Sequence, residues 1–196
     1  ASFEYLGIGL GTAAFVAFAM ALCNHSFSAT QYALLSALEV LHKEGVYHRD
    51  IAPDNILLGD DGLPVLLDFG AARRVIGEGN KALTSIMKPH YAPLEQYADQ
   101  SAMRQGPWTD LYALACVAWT IATGSRPFTG DATEMALAHL QKQPPRLVGR
   151  FPLPDGFEGW LRQAMAKDPA HRFVHAADAA AALDQLPEPL LQAPIG

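Results

Sequence analysis

Apolar residues recur with a helical period in the first half of this chain. Residues 29–44 place a stripe of leucines on one face, which predicts an amphipathic helix. Ser28 or Thr30 could cap its first turn, and Gly45 follows directly after its last residue. The pattern breaks after this glycine, where charged and polar residues crowd together before the next apolar run.

In the second half of the chain a helix is predicted over residues 109–123, and its residues are apolar on nearly every side. This pattern indicates the buried central helix of the domain. Thr109 is its predicted cap, and Gly124 lies just past its end. Shorter helices are predicted over residues 131–142, 157–167 and 175–186.

Between these helices, residues 56–70 (ILLGDDGLPVLLDFG) predict two short strands. The apolar runs on either side of Asp60, Asp61 and Gly62 indicate a β-hairpin that turns at those residues. Residues 71–91 are polar and predict an irregular segment. The order of elements is mainly helical with one small hairpin, so the predicted fold class is α+β.

Composition and charge narrow the class of protein. The 196 residues suit one domain or a large piece of one, and 50% of them are hydrophobic, which is typical of a globular chain. A net charge of -6 and a pI near 5.6 argue against nucleic-acid binding, which needs a basic surface. Cys23 and Cys116 both have apolar neighbours, so we expect buried, reduced thiols in a cytoplasmic chain.

Both ends of the chain raise a question of organisation. Residues 5–23 carry no charge and are nearly long enough to span a bilayer. A buried helix and a membrane segment are both open, and the many Ala and Gly residues without flanking Lys or Arg favour the buried helix. Residues 187–196 (PEPLLQAPIG) predict the start of a linker, which leaves residues 1–186 for the domain.

Three side chains around the hairpin have the chemistry of a phosphoryl-transfer site. Asn55 precedes the first strand and Asp68 follows the second, so the hairpin should bring their amide and carboxylate oxygens together. Such hard oxygen ligands suit Mg²⁺. Asp50, in the loop before Asn55, could orient a hydroxyl or accept its proton. Charge compensation beside a positioned acceptor is what phosphoryl transfer requires.

The run HRDIAPDN at 48–55, followed by DFG at 68–70, resembles the catalytic loop and metal-binding motif of protein kinases. The run KPHYAPLEQY at 88–97 is similar to a segment of bacterial serine/threonine kinases. Either short motif alone is weak, but both at this spacing across a hairpin are a specific signal. The resemblance implies a kinase-like C-terminal lobe that uses ATP and Mg²⁺ to phosphorylate serine or threonine in protein substrates.

The resemblance also implies roles for individual residues. Asp50 would accept the proton of the substrate hydroxyl. Asn55 and Asp68 would hold Mg²⁺ on the ATP phosphates. Leu57 would form part of the floor under adenine.

Further residues resemble structural positions of the family: His48, Phe69, Gly70, Glu95, Asp110 and Arg172. The first three would support or complete the two motifs. Asp110 would hold the backbone of the catalytic loop, and the alternative is a charge favoured by the helix dipole. Arg172 would pair with Glu95, and the alternative is a surface ion pair of little energetic worth.

In this resemblance residues 71–91 correspond to the activation loop. Thr84 and Ser85 would be its phosphate acceptors, and the alternative is that both are ordinary polar loop residues. Arginines that could pair with such a phosphate are Arg49, Arg73 and Arg74.

Ala52 departs from the family pattern. Serine/threonine kinases usually carry a lysine two residues after the catalytic aspartate, where it neutralises the transferring phosphate. Lys88 lies seven residues before Glu95, where eukaryotic relatives usually have a threonine that faces that lysine. We expect either that Lys88 supplies the missing cation or that it is a solvated loop lysine.

The residues before the catalytic loop depart from the family further. They contain no glycine-rich loop with its valine, no strand-borne lysine and no glutamate to pair with that lysine. Glu4, Tyr5 and Leu6 resemble the hinge, whose backbone would face adenine, and residues 8–22 would form the first helix of the large lobe. The sequence therefore predicts a chain that contains the hinge and the large lobe but not the small lobe. We expect this chain to be inactive on its own.

Two other functions stay open at this point. Ala52 and the absent small lobe favour a non-catalytic, pseudokinase-like binding module, whereas the retained carboxylates favour a kinase. A small-molecule kinase of the aminoglycoside phosphotransferase type shares the catalytic side chains, but the accompanying structural residues argue against it. A membrane tether could follow the chain, although the segment itself is expected to be cytoplasmic.

Overall fold

The computed structural model describes residues 27–60, 64–68, 73–74, 90–96 and 104–187. The helices in this part of the chain are α1 (Phe27–Lys43), α2 (Pro107–Thr123), α3 (Ala132–Gln141), α4 (Phe157–Ala164) and α5 (Ala176–Asp184). The strands are β1 (Val46–Tyr47), β2 (Ile56–Leu58), β3 (Pro64–Leu66) and β4 (Arg73–Arg74). Short 3₁₀ helices lie at Pro53–Asn55, Leu94–Gln96 and Pro169–His171. The predicted α+β, mainly helical class is confirmed.

Helix α2 is the central element of the described fold. Thirteen of its 17 residues are buried, and it packs against α1, α4 and α5, as its apolar sequence predicts. It begins at Pro107 with Gly106 as the cap, so the prediction of Thr109 as the cap is wrong. The Thr109 hydroxyl instead accepts the Gly106 N–H at 3.2 Å, from the third helical position. Gly124 ends the helix with a φ of 75°, a conformation that favours glycine.

Helix α1 lies across α5 and α2, and of its predicted leucine stripe Leu34 and Leu38 are buried while Leu41 is partly buried against the core. It begins at Phe27, two residues earlier than the sequence indicates. Ser28 and Thr30 therefore lie inside the helix, and neither is its cap. Gly45, with a φ of 66°, closes the chain after the helix and turns it into β1.

Strands β2 and β3 form the predicted antiparallel hairpin. Ile56 pairs with Leu66 and Leu57 with Val65. The first pair is buried beneath the hairpin, whereas Leu57 and Val65 are 45% and 48% exposed on the opposite face. The alternation of buried and exposed positions follows from the period of a strand, and it fixes which residues of the hairpin face outward beside the catalytic loop.

A second antiparallel ladder was not predicted. Strands β1 and β4 pair Val46 with Arg74 and Tyr47 with Arg73. The prediction that residues 71–91 are irregular is therefore wrong at Arg73 and Arg74. Strands of two residues have no periodicity to detect, and this pairing joins residues that are distant in sequence.

The C-terminal helices close the other side of α2. Asp131 caps α3 by accepting the N–H groups of Thr133 and Glu134, both at 2.9 Å. Helix α4 ends at Ala164, three residues before its predicted end at residue 167. The Trp160 indole N–H donates to the Ala179 carbonyl at 2.8 Å, and this bond joins α4 to α5. The predicted order of helices is present, with shorter ends.

Several predictions concern residues outside the described part of the chain. Among them are the uncharged stretch 5–23, with Cys23, and most of the predicted linker, from residue 188 onward. Asp61 and Gly62 of the predicted hairpin turn also lie outside it. Among the helices of the described residues, none has the length and hydropathy needed to cross a membrane.

Candidate active site

Residues 48–55 form the loop between β1 and β2, and a 3₁₀ helix ends it at Asn55. The Asn55 side-chain amide donates twice to Asp50, at 2.7 Å to its main-chain carbonyl and at 2.8 Å to carboxylate Oδ2. Both N–H bonds of this amide thus fix the loop and the Asp50 carboxylate together. The remaining polar atom of the side chain, Oδ1, is an acceptor, which is the kind of atom that Mg²⁺ takes as a ligand.

Asp110, in the first turn of α2, holds the start of this loop. Its carboxylate is completely buried and accepts the main-chain N–H groups of His48 at 2.9 Å and Arg49 at 2.8 Å. The His42 ring N–H at Nε2 donates to the same carboxylate at 2.9 Å. Arg49 has a φ of 67°, which a residue with a side chain seldom adopts. The charge-assisted bonds that Asp110 accepts are among the contacts that stabilise this strained turn.

His48 joins the loop to the second strand of the hairpin. Its ring is buried, with Nε2 3.0 Å from the Leu67 carbonyl and Nδ1 3.3 Å from the Asp50 N–H. One neutral tautomer, protonated at Nε2, satisfies both contacts, because Nδ1 then accepts and Nε2 donates. The backbone next to Asp50 is therefore linked directly to the backbone next to Asp68.

Asn55 and Asp68 lie at the two ends of the hairpin, as the sequence predicts. The Leu67 N–H donates to the Asn55 carbonyl at 2.8 Å, so Asp68 follows a residue that is bonded to Asn55. Asp68 is exposed and has a φ of 59°. The described residues contain no cluster of three or more His, Cys, Asp or Glu side chains that could hold a metal. An amide oxygen and a carboxylate fit Mg²⁺, which usually takes one or two protein ligands together with phosphate oxygens.

Glu95 and Arg172 form a buried ion pair. Arg172 Nη1 lies 2.6 Å from Glu95 Oε1, and Nη2 lies 3.3 Å from Oε2. Each side chain is 1% exposed, so the alternative of a surface pair is wrong. The Thr109 hydroxyl also donates to Glu95, at 3.1 Å, and the Arg172 guanidinium lies 4.5 Å above the Tyr112 ring. The pair ties the 3₁₀ helix at Leu94–Gln96 to the C-terminal part of the domain.

Some of the remaining predicted site residues lie in the described part of the chain and others lie outside it. Leu57 lies on the exposed face of the hairpin, opposite Val65, where an apolar ligand surface could form. Arg49 lies in the strained turn beside Asp50, and Arg73 and Arg74 form β4. Site residues outside the described residues are Glu4, Tyr5, Leu6, Phe69, Gly70, Thr84, Ser85 and Lys88.

Sequence reasoning missed two side chains that hold the loop. The sequence pattern indicates no specific role for His42, yet its ring contacts Asp110. The same is true of Gln96, whose amide donates to the Arg49 carbonyl at 2.7 Å. A signal existed for His42, because it lies one helical turn after the buried Leu38, at the end of the helix that leads into the loop.

Two titratable groups near α2 are strongly affected by burial. Burial lowers the pKa of the Lys167 ammonium to about 8. This ammonium donates to the carbonyls of Ala138 and His139, both at 3.0 Å, and lies 4.5 Å above the Phe128 ring. Burial raises the pKa of the Cys116 thiol to about 12, so this cysteine is an unreactive core residue, as its apolar neighbours predict.

The fold and this site define the large lobe of a protein kinase. The chain belongs to the protein kinase domain family, whose sequence profile matches residues 3–175. Its relatives include bacterial proteins that are named as serine/threonine kinases. It is 34% identical over 149 residues to "Serine/threonine-protein kinase PknE" of Mycobacterium tuberculosis, covering 75% of this chain and 26% of that protein.

Two further relatives agree with this assignment. "Probable serine/threonine-protein kinase CPE1738" of Clostridium perfringens is 33% identical over 158 residues, which is 76% of this chain and 22% of the relative. "Probable serine/threonine-protein kinase PknB" of Lactococcus lactis is 33% identical over 145 residues, with shares of 72% and 22%. The chain thus spans about a quarter of the length of the curated relatives it matches.

Proposed function

We propose that this chain is the catalytic lobe of a bacterial kinase that transfers phosphate from ATP to serine or threonine in proteins. The observation that carries the proposal is the bonding around Asp50. Its carboxylate and main chain are held by Asn55, and its backbone N–H by His48. Positioning and charge compensation supply most of the catalysis in phosphoryl transfer, so a fixed carboxylate beside a metal-ligand pair is the expected arrangement.

The proposed roles follow from this arrangement. Asp50 orients the substrate hydroxyl and accepts its proton. Asn55 Oδ1 and the Asp68 carboxylate hold Mg²⁺, which compensates the negative charge of the phosphates when it is bound. The exposed side chain of Leu57 lies under adenine, and this role is supported by its outward position on β2.

Regulation through the activation loop is part of the proposal. Thr84 and Ser85 are its proposed phosphate acceptors. Arg49 is the proposed partner of such a phosphate, which is supported by its position next to Asp50 in the loop. Strand β4 pairs with β1, and β1 leads directly into the catalytic loop at residues 48–55. The backbone of Arg73 and Arg74 therefore lies beside the strand that precedes Arg49.

The domain proposal places the hinge at Glu4–Leu6, the partial kinase domain at residues 1–186 and a linker at 187–196. No glycine-rich loop with a strand-borne lysine is recognisable in these 196 residues. We therefore propose that this chain alone transfers phosphate slowly or not at all. The proposed partners are ATP and a protein substrate in the cytoplasm, without nucleic acid.

The experiment compares this chain with the full polypeptide that its gene encodes. Each is incubated with Mg²⁺, γ-labelled ATP and casein, and the labelled protein is hydrolysed to identify its phosphoamino acids. We expect phosphoserine or phosphothreonine with the full polypeptide and little or no label with the 196-residue chain. Label on neither serine nor threonine from any form would overturn the proposal.

A pseudokinase-like binding module is the second candidate, and Ala52 is the observation that favours it. This residue is completely buried, so position 52 neither carries a cation nor leaves room for solvent beside it. In the same experiment a full polypeptide that folds but transfers no phosphate, with or without Mg²⁺, would favour this candidate.

If the kinase function holds, Lys88 is expected to supply the cation that Ala52 lacks. Replacing it by methionine keeps the length of the side chain and removes the charge, so we expect kcat to fall by about a hundredfold, as when a transition-state donor is lost. The matched control is Lys142→Met, because Lys142 is an exposed lysine just after α3. Equal losses in the two variants would show that Lys88 is an ordinary loop lysine.

A further inference from the structure

The 3₁₀ helix at Leu94–Gln96 presents two successive side chains to two different parts of the domain. Glu95 contacts Arg172 and Thr109. Gln96 is half-buried, and its Nε2 donates to the main-chain carbonyl of Arg49 at 2.7 Å. These bonds cross 77 and 47 residues of sequence, so this short helix joins segments that are remote in the chain.

The carbonyl that Gln96 contacts belongs to the peptide group between Arg49 and Asp50. The N–H of that same peptide group is directed to His48 Nδ1, at 3.3 Å. Both polar atoms of the peptide group therefore have side-chain partners, and the plane of the group is fixed from two sides. Because a peptide group is planar, this contact pair fixes the positions of the Asp50 nitrogen and Cα. The Asp50 side chain leaves the backbone from that fixed Cα, and the Asn55 amide holds its carboxylate Oδ2 at 2.8 Å.

The residue before this peptide group is under conformational strain. Arg49 has a φ of 67°, and its N–H is bound by Asp110 at 2.8 Å. Strained backbone of this kind persists only where surrounding contacts hold it. Asp110 holds the nitrogen side of Arg49 and Gln96 holds the carbonyl side, so removal of either contact releases one half of the turn.

We propose that Gln96 is a positioning residue that fixes the Arg49–Asp50 peptide group and thereby orients the Asp50 carboxylate. The contact also makes the direction of Asp50 depend on where the 3₁₀ helix at Leu94–Gln96 lies. The effect on catalysis rests on the proposed kinase function, whereas the effect on the loop does not. A side-chain donor is required at this position, because an ionised glutamate has none and would place a carboxylate against the carbonyl oxygen.

The test uses Gln96→Met, which keeps the length of the side chain and removes its donor. The matched control is Gln105→Met, because Gln105 Nε2 donates to a carbonyl of the same 3₁₀ helix, that of Glu95, at 3.1 Å. Hydrogen–deuterium exchange of this chain, followed by mass spectrometry, is measured on peptides that cover residues 46–56. We expect about tenfold faster exchange there in Gln96→Met and no change in Gln105→Met, as for the loss of one hydrogen bond.

Kinetics of the full polypeptide, which is the form expected to transfer phosphate, provide the second measurement. We expect Gln96→Met to lower kcat by about five- to tenfold with KM for ATP unchanged, because orientation and not binding is lost. Unchanged exchange in residues 46–56 would overturn the inference, as would an equal effect of Gln105→Met. An inactive wild-type polypeptide with faster loop exchange in Gln96→Met would overturn the kinase proposal and leave the positioning role in place.

Discussion

Replacing Asp50 by asparagine is expected to lower kcat for phosphate transfer by about a hundred- to ten-thousand-fold, the range for loss of a general base. The fold should be retained. An asparagine keeps one acceptor oxygen, so the bond of 2.8 Å from Asn55 can persist, and the N–H of residue 50 still meets His48. What is lost is the negative charge and the ability to take a proton from the substrate hydroxyl.

The measurement is the steady-state rate of phosphate transfer to casein by the full polypeptide. Urea unfolding of the same samples measures the stability of each variant. Asp60→Asn is the matched control, because it removes one negative charge from an exposed position on the turn of the same hairpin. We expect the control to behave as wild type in both measurements. Wild-type kcat in Asp50→Asn would contradict the role of Asp50 as the acceptor, whatever the stability of the variant.

The sequence was most informative where structure is local. A helix, a polar loop and a hairpin follow one another between residues 27 and 68, so short-range patterns sufficed to place Asn55 and Asp68 at neighbouring ends of the hairpin. The buried helix α2 was equally accessible, because a segment that is apolar all round has few other places in a fold. These parts of the site need only periodicity and turn chemistry.

The contacts that hold the catalytic loop were less accessible. His42 meets Asp110 across 68 residues, and Gln96 meets Arg49 across 47 residues. A single sequence contains no signal for such pairs, because the packing of helices determines which polar side chains converge. The resemblance supplied Asp110 and the pair of Glu95 with Arg172 only because the family uses those positions.

The cap of α2 and the short strand β4 were not predicted correctly for a different reason. Thr109 has the side chain of a cap, yet Gly106 and Pro107 start the helix before it, since proline is favoured in the first turn and its missing N–H costs nothing there. Two residues are enough for β4 because β1 already offers an edge. In both cases a neighbouring part of the chain determines the structure, and the preference of the residue itself does not.

Arg172→Met is expected to lower the free energy of unfolding by about 3–5 kcal/mol, the range for a buried ion pair that loses one partner. Glu95 would keep a buried carboxylate with the Thr109 hydroxyl, at 3.1 Å, as its remaining donor. The loss of Arg172 would also free the Ala166 carbonyl, which it contacts at 2.6 Å. Urea unfolding of this chain, followed by tryptophan fluorescence, measures the change.

Arg162→Met is the matched control, because Arg162 and Glu158 are also 2.6 Å apart but 36% and 35% exposed. An exposed pair of this kind contributes about 0.3–0.5 kcal/mol, so the control should be nearly as stable as wild type. The double variant Glu95→Leu/Arg172→Met should recover part of the loss, since removal of both charges leaves none uncompensated in the core. If Arg172→Met costs no more than Arg162→Met, burial does not make this pair important. A double variant that is less stable than Arg172→Met would instead show that Glu95 is stabilised by contacts other than Arg172.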